Sequence, residues 1–240
     1  MVPGGGGAGR SGQPEACARA TRGPDRPPAP GASGAYHPGP PPPAVPPLGT
    51  RRLTALSDGV FAIAMTLLVL DVTDAAVAAP DGAAWDAVGP QLASYVLGFV
   101  VLGLLWNGHH VAFAHVEHVD RPLLWLNVAF LLFAALVPFP AELIARWPVA
   151  FSAVAVYGAV LTCAALALLA AWTYAVRAGL VGPAVGPATV RGLQGRLVRA
   201  VALYGAGVAV AWWSPPAGVA VLFASHLFFV ARPVDAVEVS

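Results

Sequence analysis

The sequence contains no lysine and few charged residues of any kind. All 13 basic residues are arginines, and charged residues make up 10% of the 240-residue chain, against about 25% in a soluble domain. Hydrophobic residues make up 58%. This composition excludes an ordinary soluble protein and indicates an integral membrane protein. The absence of lysine fits a biased base composition, together with the many Ala, Gly and Pro residues, and indicates no function.

Sequence motifs for common enzyme chemistry are also missing. The two cysteines, Cys17 and Cys163, are too few for a disulfide framework. No Walker, Rossmann or nucleophile-elbow motif is present, and no basic run suggests nucleic acid. We therefore expect no enzymatic activity, no cofactor, no bound metal and no nucleic-acid partner.

The two ends of the chain differ from its centre. Residues 1–49 hold 13 of the 24 prolines and a run of four glycines, which is typical of a disordered tail. No apolar stretch follows the first residue, so this tail is not expected to be a signal peptide. We predict a disordered cytoplasmic tail over 1–49, a six-helix domain over 50–232 and a short cytoplasmic tail over 233–240.

Six apolar segments in the central region predict six membrane-spanning helices, since about 20 helical residues cross a bilayer core of about 30 Å. Pro138 and Pro140 are expected to end the third helix. The stretch 177–192, which contains two Gly-Pro steps, is expected to form the longest connection between helices. The fold class is therefore all-α membrane protein. The six segments are 53–72, 87–108, 122–141, 150–176, 197–213 and 216–231.

The arginines predict the orientation of these helices. If the amino terminus is cytoplasmic, 12 of the 13 arginines lie inside and only Arg146 lies outside, as the positive-inside rule requires. Both termini are then cytoplasmic, in a multi-pass protein of the cell membrane. The first external connection carries Asp74, Asp81 and Asp86, which could raise the cation concentration at an outer mouth.

The first segment combines an apolar stripe with two polar residues. At 100° per residue, a stripe that includes Ile63 falls within about 60° of that residue. Ser57 lies about 120° to one side and Asp58 about 140° to the other. Spacing alone leaves two interpretations: the stripe packs as core beside a polar cavity, or it lines a pore while the polar pair anchors the helix. The stripe consists of Leu56, Gly59, Ile63, Thr66, Leu67 and Leu70.

Other polar residues near the membrane have competing interpretations. His109, His110, His115 and His118, with Glu117, could bind a metal, form hydrogen bonds at a helix end or respond to pH. Asn127 within the third segment is interpreted as an interhelical hydrogen-bonding residue.

The first segment also carries a family resemblance. Arg52-x-x-x-Leu56-Ser57-Asp58 resembles the Arg-x-x-x-Phe-Ser-Asp signature of the transmembrane protein 175 family, the lysosomal and endosomal potassium channels and their bacterial relatives. Leu56 replaces the family's Phe. The sequence WNGHH at 106–110 and residues 123–140 are similar to the family's second and third helices.

The resemblance implies a passive potassium-permeable channel without a re-entrant filter loop, its pore lined by the first helix. It implies a pore constriction at Ile63, with Thr66, Leu67 and Leu70 at the next pore-facing positions. Because the chain carries a single six-helix repeat, as bacterial members do, a homotetramer in the lipid bilayer is implied. The permeant ions would be potassium and, as further candidates, other monovalent cations or protons.

The resemblance further implies a structural polar network made of five residues. It favours His109 or His110 bonding to the polar residues of the first helix. The alternative function is a proton-coupled secondary transporter that uses Asp58 as its proton site. The five residues are Arg52, Ser57, Asp58, His109 and His110.

Overall fold

A computed structural model describes residues 49–78 and 84–231. Within these residues the chain forms seven α-helices and no β-strand; a single bridge pairs Val116 with Val181. The helices are α1 Thr50–Ala78, α2 Ala84–Ala114, α3 Arg121–Leu136, α4 Pro138–Arg146, α5 Phe151–Arg177, α6 Pro187–Ala211 and α7 Pro215–Ala231.

The third predicted segment becomes two consecutive helices. The helix α3 ends at Leu136, and α4 starts at Pro138 directly after Val137. The expectation that Pro138 and Pro140 end the third helix holds for α3, but a further helix was not expected: both prolines stand in the first turn of α4, where a missing N–H is tolerated. Together the two helices form one apolar stretch, Arg121–Arg146, so the seven helices of the described residues correspond to the six predicted segments.

Two connections are shorter than predicted. The helix α6 starts at Pro187, ten residues before the predicted segment, because Pro187 suits the first helical position. The helices α1 and α2 leave only 79–83 between them. Asp74 is therefore an exposed residue of α1, and Asp86 lies in the first turn of α2. Asp81 and both predicted tails lie outside the described residues.

The helix α5 forms the centre of the subunit. It packs against α3, α4, α6 and α7, and twelve of its residues are buried, among them Tyr157, Leu161 and Trp172. The helix α1 lies at the periphery, where it packs chiefly against α2 and more lightly against α3.

Length and composition suit four stretches to crossing a membrane: α1, α2, α3 with α4, and α5. The helix α7 is apolar but shorter. The helix α6 carries Arg191, Arg196 and Arg199 in its first half. The four long apolar stretches make the chain a multi-pass membrane protein.

Candidate functional site

The helix α1 has a buried face and an open face. Leu53, Ser57, Phe61, Ala64 and Leu68 recur every three or four residues, and all are buried against the rest of the subunit. Leu68 packs over Gly98 of α2, where an added β-carbon would lie 3.0 Å from a Leu68 methyl group. Glycine at position 98 therefore lets α1 and α2 approach closely.

The apolar stripe predicted from the sequence lies on the open face. Ile63 is 62% exposed, and Leu56, Leu67 and Leu70 are each about half exposed. Gly59 and Thr66 are exposed as well. Packing of the stripe inside its own subunit is therefore excluded, and its surroundings must be lipid, water or another polypeptide.

Thr66 uses its hydroxyl within the helix. Its Oγ1 donates a hydrogen bond to the carbonyl of Ile63 at 2.9 Å. This fixes the hydroxyl hydrogen toward the backbone, while the oxygen lone pairs stay on the open face.

A buried polar cluster joins α1 to α2 and α3. Ser57, His109 and Asn127 come from three different helices and are all buried. His109 Nε2 lies 2.7 Å from Asn127 Oδ1 and 3.3 Å from Ser57 Oγ, and Asn127 Nδ2 donates to Ser57 Oγ at 3.2 Å. Ser57 Oγ donates in turn to the carbonyl of Leu53 at 3.0 Å.

These distances assign the hydrogens of the cluster. The oxygen of Asn127 can only accept, so His109 Nε2 carries the proton and donates to it. The amide of Asn127 then donates to Ser57, whose own proton goes to Leu53. The hydrogen bonds therefore run in one direction, from His109 through Asn127 and Ser57 to the backbone of α1.

Aromatic rings enclose His109. Phe113 and Phe130 stack on its imidazole, with ring centroids 4.3 and 5.3 Å away, and Phe61 lies 6.4 Å away. The cluster is thus a polar contact within an apolar shell, where each hydrogen bond is stronger than it would be in water.

A second polar group lies at the surface of the same helices. Trp106 Nε1 donates to Asp58 Oδ1 at 2.8 Å, and the Trp106 indole stacks on His110 at 5.3 Å. Asp58, Trp106 and His110 are all exposed. Arg52 is exposed too, and its side chain forms no hydrogen bond within the described residues.

The five residues predicted as one network are therefore divided. Ser57 and His109 share the buried cluster, Asp58 and His110 contact Trp106 at the surface, and Arg52 joins neither group. The hydrogen-bond partner of Asp58 is Trp106, which the predicted network did not include. Asn127 bonds to other helices, as its position in an apolar segment indicated. For Trp106, the sequence signal was its place in the WNGHH motif.

The remaining histidine-rich stretch has backbone partners. His115 Nδ1 donates to the carbonyl of Val111 at 2.7 Å. In the part of the chain that the structure describes, no three residues of metal-ligating types come together. The carbonyl of Glu117 accepts a hydrogen bond from Thr50 Oγ1 at 3.0 Å. The backbone N–H of Glu117 donates to the carbonyl of Leu180, also at 3.0 Å. These bonds tie the start of α1 to two connections between helices.

These features define the class of the protein as a multi-pass helical membrane protein, whose peripheral first helix is held by polar bonds on one side and exposes apolar residues on the other. The family described as endosomal/lysosomal potassium channel TMEM175 matches residues 52–138. A protein named potassium channel from Streptomyces collinus is 38% identical over 173 residues, which cover 69% of this chain and 84% of that protein.

Two further comparisons extend the match. A crystal structure of a lysosomal potassium-selective channel TMEM175 homolog from Chamaesiphon minutus superposes with a TM-score of 0.64 at 27% identity, covering 76% of this chain and 97% of that one. The human endosomal/lysosomal proton channel TMEM175 is 38% identical over 102 residues, 38% of this chain but 20% of that protein. The chain belongs to the TMEM175 family, and its coverage places it with the bacterial members.

Proposed function

We propose that this chain is the subunit of a passive, potassium-permeable cation channel in which the α1 helices of four copies line the pore. The observation that carries the proposal is the open face of α1: in a family of channels, this helix leaves its apolar stripe uncovered by its own subunit. The relative from Streptomyces collinus, which is named potassium channel and is matched over 84% of its length, supports potassium as the permeant ion.

The stripe suits a hydrophobic constriction. Four copies of α1 around an axis would stack Ile63, Leu67 and Leu70 in rings about 4–6 Å apart. Apolar rings that are narrow enough lose their water and stop conduction without a large movement. Thr66, whose lone pairs stay on the open face, would offer oxygen atoms to a cation near the Ile63 ring.

The buried cluster has a structural role in this proposal. Ser57, His109 and Asn127 face away from the stripe and bond to one another, so they hold α1 in its orientation against α2 and α3. Asp58 and Trp106 serve the same purpose at the surface. None of these residues coordinates the permeant ion.

Currents through the full chain in a planar bilayer test the proposal. With potassium chloride of different concentration on the two sides, we expect unitary currents that reverse near the potassium equilibrium potential. Repeating the measurement with sodium or a pH gradient measures the permeation of other monovalent cations and of protons. Transport without unitary currents, and only under a proton gradient, would instead support the proton-coupled transporter that uses Asp58.

Native mass measurement of the same preparation tests the tetramer, and a monomer that still conducts would contradict it. The orientation we propose is that of a cell-membrane protein with cytoplasmic termini. A cysteine introduced beside Arg146 should therefore be labelled from outside intact cells. Labelling from inside would reverse the topology.

A further inference from the structure

An open groove runs between α6 and α7. It encloses about 480 Å³ and is mostly apolar. The hydroxyl of Ser225 does not add polarity, because it donates to the carbonyl of Val221 within α7. The groove is lined by Arg199, Ala202, Leu203, Val221, Ala224, Ser225 and Phe228.

The charged residue of the groove lies at its arginine-rich end. Arg199 is exposed and forms no ion pair within the described residues. Its Nη1 lies 3.5 Å from the position that a β-carbon would occupy at Gly195, one turn earlier in α6. The side chain therefore folds back along the helix toward Pro187, as arginines do when they reach from apolar surroundings toward water.

The depth of this guanidinium fits the boundary of a bilayer. Twelve residues separate Arg199 from the Ala211 end of α6, about 18 Å of helix. Folding back by one turn adds about 5 Å, so the charge lies about 23 Å from that end, within about 7 Å of the far edge of a hydrocarbon core of about 30 Å. Apolar surface then lies on the membrane side of the charge, and the headgroup region on the other.

The surrounding charge is positive. The helix α6 contains Arg191, Arg196 and Arg199 and no acidic residue. The Arg196 guanidinium lies over the Phe229 ring, 5.3 Å from its centroid, which leaves Arg199 as the arginine that lines the groove. Guanidinium groups bind phosphate oxygens with paired hydrogen bonds.

We propose that this groove binds an anionic phospholipid, with its phosphate on Arg199 and one acyl chain between Leu203, Val221 and Phe228. Charge complementarity favours an anionic headgroup over a zwitterionic one. A second copy of the chain is a poorer occupant, since the guanidinium would need an acidic partner. The inference depends on the membrane location of α6 and α7 and not on ion conduction.

Native mass spectrometry of the full chain in detergent tests the site. Phosphatidylglycerol and phosphatidylcholine with identical acyl chains are added separately, and retained lipid is counted per subunit. We expect preferential retention of phosphatidylglycerol, reduced about fivefold in Arg199→Gln, the effect of one interfacial arginine on an anionic lipid. Arg191→Gln is the matched control, because Arg191 is an exposed arginine of the same helix outside the groove.

A second variant tests the apolar part of the groove. Ala202 is exposed, so Ala202→Trp should fold normally, fill the groove and lower retention of both lipids. Millimolar inorganic phosphate should not displace the lipid. Equal retention of the two lipids, an equal loss in Arg191→Gln, or displacement by phosphate would each overturn the proposal. A change of oligomeric state in Arg199→Gln or Ala202→Trp would assign the groove to a second copy instead.

Discussion

The helices α1 and α5 are both long and apolar, yet they are packed differently within the subunit. The helix α5 is packed by four other helices, and its twelve buried residues cover an arc of about 160°. The helix α1 is packed on one face and leaves Ile63, Leu67 and Leu70 open. Hydropathy does not distinguish a helix that holds the subunit together from one that can line a path between subunits.

The two helices also differ in how their buried polar atoms are hydrogen-bonded. In α5, the Tyr157 hydroxyl and the Trp172 Nε1 are buried without a hydrogen-bond partner among the described residues. In α1, Ser57 has partners on two other helices and on its own backbone. Apolar packing therefore holds the middle of α5, whose side-chain hydrogen bonds to other elements come from Thr173 and Tyr174 near its end, whereas directional bonds orient α1. Substitutions in the two helices should consequently change different properties.

The largest loss of stability is expected from Trp172→Ala. Trp172 is buried in α5 and contacts the ring of His115, so truncation leaves a cavity in the centre of the subunit and should cost about 3–5 kcal/mol. Unfolding in mixed micelles measures this cost. Trp125→Ala is the control, since Trp125 is 63% exposed; equal losses in both variants would contradict the central role of α5.

An intermediate loss is expected from Asn127→Ala. It removes the acceptor of the His109 proton and a donor to Ser57, and a buried polar group left unpaired costs about 1–3 kcal/mol. The same unfolding assay applies. Asn107, which lies on α2 and is only partly buried, provides the control variant Asn107→Ala. If the two variants unfold alike, the buried cluster does not hold α1.

A smaller loss is expected from Asp58→Ala, because its bond to Trp106 lies at the surface. The tetramer should dissociate before ion selectivity changes, as native mass measurement and bilayer currents can establish. Trp106→Phe keeps the ring and removes the donor, so it should reproduce the effect. A stable tetramer of Asp58→Ala with altered ion preference would place the carboxylate in the conduction path.

The smallest loss of stability is expected from Ile63→Asn, about 0.5 kcal/mol or less, because most of the Ile63 side chain is exposed in its own subunit. Its effect on currents should be large. A wetted constriction should raise cation flux and weaken discrimination between potassium and sodium. Thr66→Ala should lower selectivity with less effect on assembly. Leu132→Asn is the control, since Leu132 is 64% exposed on α3; identical currents in Ile63→Asn and wild type would contradict this position.

The helices were largely predictable from the sequence, and their contacts were not. Helical periodicity identified six spans and placed Ile63 and Ser57 on different faces of one helix, because both are local properties. The partners Asn127 and Trp106 stand 70 and 48 residues from Ser57 and Asp58, and only the packing of three helices brings them together. The sequence could not decide whether the stripe is buried or exposed, because that too depends on how the helices pack.

Two of the predicted boundaries that differ from the structure involve proline. Pro187 and Pro138 were interpreted as breaks, and both begin helices. Proline in a first helical turn and proline in a loop look alike in a sequence, since the difference lies in which N–H group the fold needs.

The turn that joins α6 to α7 limits which sequences this family member can tolerate. A β-carbon at Gly218 would lie 2.5 Å from Ala211 Cβ and 2.9 Å from its backbone nitrogen, and one at Gly207 would lie 2.6 Å from Leu222. The backbone contact cannot give way, whereas Leu222 can be exchanged for a smaller residue. Position 218 should therefore accept glycine alone in a library of variants, while position 207 should accept alanine only together with a second change at 222.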